Sequence, residues 1–167
     1  MVEDTDMVKL VTEDGVDYEL EYKLVKHCKL VERIADDGEI DEKIPLKDVK
    51  KVTFDKIVQF CQHLVEGNDP PVIHKPLRSN KLADLTTEFY AGFVDGLGEE
   101  ELFEVVLASN YLECQHLLEL SSAKVATLIQ HMDVDQVREF FAIENDFTPI
   151  EMERVKQEIK WAEATFQ

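Results

Sequence analysis

The sequence predicts an α/β chain of the α+β kind: a small sheet near the N-terminus, helices over most of the remaining length, and a wholly helical C-terminal part. Three observations carry this. Apolar and polar residues alternate on either side of Glu13-Asp14-Gly15, apolar residues recur at steps of three and four from Leu24 onward, and Thr148-Pro149-Ile150-Glu151 has the form of a helix start. With 44% hydrophobic residues in 167, the chain has enough apolar surface to bury a core without disulfides or metals.

Val8-Lys9-Leu10-Val11-Thr12 and Val16-Asp17-Tyr18-Glu19-Leu20 flank a turn in which Asp14-Gly15 supplies the positive φ, so a hairpin is expected. Leu24, Cys28, Val31 and Ile34 then keep the period of one helix with a buried face. Residues 36–43 are acidic and contain glycine, which reads as a solvated loop. Ile44-Pro45-Leu46 follows as a short edge strand, because proline lacks the N–H that a central strand donates. Residues 52–64 form a helix with Ile57, Phe60, Cys61 and Leu64 as its stripe, and Glu66-Gly67-Asn68-Asp69-Pro70-Pro71 ends it. Beyond it come prolines, no periodic pattern to about residue 78, and no Lys or Arg between Lys81 and Lys124 while acids accumulate. Residues 67–97 are therefore expected to be a loop or linker, partly disordered. Residues 102–112 are apolar nearly all round at helical period, which predicts a central buried helix. A helix over 115–130 carries Leu117, Leu118, Val125, Leu128 and Ile129, and Asp133 caps a short one bearing Val137, Phe140 and Phe141. The capping box at Thr148 and Glu151, with proline at the first helical position, starts the last helix.

Charge narrows the functional classes. Against 18 Lys and Arg stand 36 Asp and Glu, and the net charge of -18 gives a surface that nucleic acid and anionic membranes repel. The acidic start lacks the basic and apolar segments of a signal peptide, and no apolar run approaches a membrane span. Cys28, Cys61 and Cys114 are widely spaced without a C-x-x-C, which suits reduced core thiols of the cytoplasm and nucleus. Cys61-Gln62-His63 and Cys114-Gln115-His116 place their outer residues on opposite sides of a helix, so neither pair chelates a metal. Gly92, Gly96 and Gly98 lack the spacing and the preceding strand of a phosphate loop. No catalytic, cofactor or metal site is expected, and the chain reads as a non-enzyme.

The last helix points instead to a protein partner. Met152, Val155, Ile159, Ala162 and Phe166 fall in one band of the helical wheel, while Trp161, the one tryptophan, falls opposite in line with Ile150. Either the chain covers both faces itself, or a partner covers one of them; large aromatic anchors dominate interface energetics.

Val8-Lys9-Leu10 with Asp14-Gly15, Ile44-Pro45-Leu46, Asp69-Pro70-Pro71, Leu102-Phe103-Glu104, Asn110-Tyr111-Leu112, Asn145-Asp146-Phe147-Thr148 and Trp161 occur in an order and spacing that closely resemble the S-phase kinase-associated (Skp) adaptors of SCF (Skp-cullin-F-box) ubiquitin ligases. The likeness spans almost the whole chain, and the gapless block from Asn145 through Val155 to Trp161 is its most specific part. It implies a BTB/POZ-type cullin-binding domain over 1–130 and a C-terminal helical F-box-binding extension over 131–167. It also implies an adaptor that presents F-box substrate receptors to a cullin scaffold for ubiquitin-dependent degradation. Asn110 and Tyr111, with Ile44, Pro45 and Leu46, correspond to the cullin-facing side. Leu118, Val125, Ile129, Val137, Phe141, Ile143 and Trp161 correspond to the F-box groove, and when no partner covers it the free protein is expected either to self-associate, as a homodimer, or to leave its last helix frayed. Phe147-Thr148-Pro149 matches a stretch whose proline is hydroxylated and glycosylated in some protist relatives, which makes Pro149 a candidate modification site. The sequence departs from the family around residues 85–101, where a frequent tryptophan is missing and residues are added. An elongin C-like adaptor is the nearest rival, disfavoured because that family ends near the core helices; a small thiol hydrolase using Cys61 or Cys114 is the rival from another class.

Overall fold

A computed structural model describes residues 3–37 and 42–165. Strands β1 (Met7–Thr12) and β2 (Asp17–Glu21) pair antiparallel, with Val8 opposite Leu20 and Leu10 opposite Tyr18. The turn between them closes through Gly15, whose φ of 79° is open to glycine, with its N–H donated to the Thr12 carbonyl at 2.9 Å. Strand β3 (Ile44–Leu46) lies parallel on the other side of β1, giving the order β2-β1-β3 with β3 at an edge, where Pro45 breaks no ladder. Val8 and Leu10 point inward with Ile44 and Leu46. Within the expected loop 36–43, residues 38–41 lie outside the described residues.

The single helix expected through Leu24 and Ile34 is two: α1 (Tyr22–Val25) and α2 (Lys29–Asp36), separated where Cys28 takes an extended conformation as the N-cap of α2. The apolar period survives the break, since Val25, Cys28, Val31 and Ala35 are all buried. Helix α3 (Lys51–Val65) buries Phe54, Ile57, Phe60, Cys61 and Leu64 and ends at Gly67 with φ 90°.

Over 67–97 the loop expectation holds in part: residues 67–81 form no helix or strand, whereas the stretch from Leu82 is largely helical and packs on the core. Pro71, Ile73 and Leu82 are buried, a 3₁₀ turn spans Leu82–Asp84, and α4 (Glu88–Asp95) packs Tyr90, Ala91 and Val94 into the core. Aromatic pairing with α3 outweighs the unfavourable local composition: Phe89 stacks on His63 with centroids 3.5 Å apart, and Tyr90 lies 5.6 Å from Phe60 while donating its hydroxyl to the Asp69 carbonyl at 2.7 Å.

Helix α5 (Glu99–Tyr111) opens with three glutamates in its first turn, and the Glu101 carboxylate accepts the Gly98 N–H at 3.0 Å. It too departs from expectation, because one face alone is buried, through Leu102, Val105, Ala108 and Ser109, while Leu107 on the opposite side is 68% exposed. Helix α6 (Gln115–Ile129) buries Leu117, Leu120, Ser121 and Ala123, with the Ser121 hydroxyl donated back to the Leu117 carbonyl at 2.8 Å.

The chain divides into two compact units, Met1–Gln130 and His131–Gln167. The second holds α7 (Val134–Phe140) and α8 (Pro149–Thr165). Each start is capped reciprocally. Asp133 Oδ1 accepts the Gln136 N–H at 2.8 Å while Gln136 Oε1 accepts that of Asp133 at 2.9 Å, and Glu151 Oε2 accepts both the N–H and the hydroxyl of Thr148, at 2.9 and 2.7 Å. Of the predicted stripe on α8, the side chain of Ala162 and all of Phe166 lie outside the described residues.

Candidate functional site

Two surfaces on the first unit and the helices of the second gather the residues of interest. The first surface runs from β3 to α5. A cleft beside the strand is lined by Val11, Glu13, Pro45 and Lys47, and a second cleft by Glu13, Asp48, Lys50, Thr53, Glu104 and Leu107, so Glu13 joins them into one continuous face. The turn after β3 is held in place by the sheet: the Glu13 N–H donates to the Val49 carbonyl at 2.9 Å, and Asp14 Oδ1 accepts the Lys51 N–H at 3.0 Å. Glu104 then ties α5 to the start of α3, taking Lys50 Nζ at 2.8 Å and the Thr53 hydroxyl at 3.0 Å. The Lys50 and Thr53 hydrogen bonds hold the Glu104 carboxyl below its ordinary pKa, and the same bond raises that of Lys50. Leu107 stands one helical turn before Asn110 and Tyr111, of which Asn110 is exposed and Tyr111 half-buried.

Of the residues expected to face a cullin, Asn110, Tyr111 and Pro45 have surface to offer. Ile44 and Leu46 are buried, at 3% and 0% exposure, because the pleat of a three-residue strand turns the first and third residues to the same face, here the core, although Leu46 still lines the cleft beside β3. Leu107 is the residue the sequence reading missed. Its exposure was hidden by a run of apolar neighbours on α5, and the signal that finds it is its position opposite Leu102, Val105 and Ser109 on the helix.

The second surface lies on α6. Leu118, Val125 and Ile129 fall within about 40° of arc on the helix and are all half-buried. Beside them a cleft of about 480 Å³ opens between α6 and residues 73–77, lined by Ile73, Pro76, Leu77, Leu118, Ala123 and Ala126 among others. Leu118 belongs to both, so the stripe and the cleft are one surface.

The second unit has no buried residue among its described side chains. Val137 is half-buried, Phe141 and Ile143 are exposed, and Trp161 is 71% exposed, on the side of α8 that also carries Ile150. Met152 and Val155, half-buried, mark the other face. Arg138 sits over the Phe147 ring at 5.9 Å from its centroid, which steadies the Asn145-Asp146-Phe147 connection into α8. Some 37 residues, with no buried side chain among those described, fall below the size at which a core sustains itself.

The tetramerisation domain described for the Skp1 family matches residues 6–66, and the dimerisation domain of the same family matches residues 115–162. The chain is 39% identical to the S-phase kinase-associated protein 1 homolog of Tetrahymena thermophila over 156 residues, 93% of each chain. It is 30% identical over 160 residues to the E3 ubiquitin ligase complex SCF subunit sconC of Arthroderma benhamiae, covering 95% of this chain and 96% of that one. For sconC of Aspergillus fumigatus the identity is 34% over 157 residues, covering 93% and 98%. With both domains in their order and relatives aligned along nearly its full length, the chain belongs to the Skp1 family.

Proposed function

We propose that this protein is the adaptor subunit of an SCF-type E3 ubiquitin ligase, bridging a cullin to F-box substrate receptors for ubiquitin-dependent degradation. The observation that carries this reading is the second unit, none of whose described side chains is buried and whose Ile143, Phe147 and Ile150 offer apolar surface that a protein partner would remove from water. The role is geometric: the protein performs no chemistry and raises the effective concentration of substrate beside the ligase. The cullin would take the face of Pro45, Leu107, Asn110 and Tyr111. The F-box would take Leu118, Val125 and Ile129 on one unit and Val137, Phe141, Ile143 and Trp161 on the other. Free cysteines support a reducing compartment, cytoplasm and nucleus, and the charge of -18 argues against nucleic acid and anionic membranes as partners. Reconstitution tests this: a cullin and an F-box protein that do not bind each other should co-elute when the chain is added.

Two finer readings follow. The exposed apolar groups, together with the match to a domain named for dimerisation, support a homodimer when no F-box is bound; sedimentation over a concentration series should show mass rising with concentration, and a monomer throughout would count against it. Pro149 is exposed at the first position of α8, where its missing N–H breaks no bond, and it is accessible to a prolyl hydroxylase. Intact mass of natively purified protein should then show an added oxygen on the peptide containing Pro149.

A further inference from the structure

We propose that Cys28, Cys61 and Cys114 form a three-thiolate site for a divalent thiophilic ion of the zinc class inside the first unit. Far apart in the sequence, the three come together from three elements: Cys28 is the N-cap of α2, Cys61 lies within α3, and Cys114 is the N-cap of α6. Their sulfurs all lie within 4.8 Å of one another, and each residue is 1% exposed. Zinc holds thiolates at about 2.3 Å, which places the sulfurs of a tetrahedral site about 3.8 Å apart, so the cluster needs to contract by no more than about 1 Å. The neighbourhood also suits the charge. Three thiols give up three protons to solvent as three S–Zn bonds form, with no change of oxidation state, and the resulting Zn(S)₃ unit carries one net negative charge. Cys28 and Cys114 stand at the starts of α2 and of the fifteen-residue α6, so the positive ends of two helices lie beside that charge. Among the described residues the cluster holds these three sulfurs and no fourth His, Asp or Glu ligand, so an ion there would be held by three thiolates. A hard cation would gain nothing from three sulfurs, which fixes the ligand class as soft.

The test uses the full chain, reduced and metal-free, refolded with Cd²⁺ or Zn²⁺ because native burial slows entry. The expected results are an ultraviolet thiolate-to-metal charge-transfer band that saturates at one equivalent of Cd²⁺ and, for protein refolded with Zn²⁺, an intact native mass carrying one zinc that added Cd²⁺ displaces. Cys28→Ala and Cys114→Ala, each checked for folding by circular dichroism, should lose the band. If either variant fails to fold, the wild-type measurement decides: reduced, folded protein that shows no band and takes up no zinc overturns the proposal, as does a band that persists undiminished in both folded variants.

Discussion

Leu107 and Trp161 are each large, apolar and exposed, and they lie on different units. If the cullin and F-box surfaces are separate, Leu107→Asp or Asn110→Lys should weaken cullin binding at least about tenfold and leave F-box binding unchanged. Trp161→Ala should do the reverse, costing about 2 kcal/mol or more as an anchor residue does. Calorimetry with each partner reads both effects, and equal loss at both partners from every variant would contradict the assignment. Glu104 gives a pH signature to the first of these surfaces. Its carboxyl pKa is depressed in the fold by Lys50 and Thr53, so the stability it contributes is present above the ordinary carboxylate range and is lost as pH falls through the lowered folded value. Denaturant melts of Glu104→Gln should therefore lose the part of the acid-side stability decline that belongs to this group, with the difference from wild type shrinking at low pH. At this scale the sequence was informative about residue type and blind to facing: Asn110 stood out as polar on an apolar helix, whereas Ile44 and Leu46 could not be told from surface residues until the pleat of β3 was known.

Helix α4 is where local reading failed, and the cause is visible in its contacts. Acidic residues, glycines and prolines give 67–97 the composition of a solvated connection, but Tyr90 is buried and Phe89 and Phe93 lie with it against His63 and Phe60 of α3, contacts made across some thirty positions that no local period reveals. Tyr90→Phe removes the hydroxyl from the Asp69 carbonyl and should destabilise the first unit by about 1 kcal/mol in a denaturant melt. The hairpin was legible because Asp14-Gly15 and strict alternation specify it locally, and α7 and α8 because their capping residues stand three apart in the sequence. The break between α1 and α2 was not, since the apolar period continues through Cys28. Helix α8 is capped well at Thr148 but none of its described side chains is buried, so its backbone hydrogen bonds have weak tertiary support. Amides of 149–165 should exchange rapidly in the free protein and become protected when an F-box protein is added; full protection in the free monomer would show that the helix needs no partner.

On the scale of the whole molecule the chain combines a unit with a continuous core and one with no buried residue among its described side chains, a division of labour that suits an adaptor. The convergence of Cys28, Cys61 and Cys114 is a property of this scale alone, as it depends on how α2, α3 and α6 pack and leaves no trace in the spacing of the cysteines. Family membership was readable from the sequence through the order of short blocks from Val8 to Trp161, while the partition of surfaces awaited coordinates. The central claim is that one molecule holds a cullin and an F-box protein at once, and light scattering coupled to size exclusion tests it most directly. Cullin, F-box protein and this chain mixed in equal amounts should elute as a single species with the mass of a 1:1:1 complex, and Trp161→Ala should reduce it to the chain with cullin alone. Two separate binary complexes, with no ternary species at any concentration, would contradict the account.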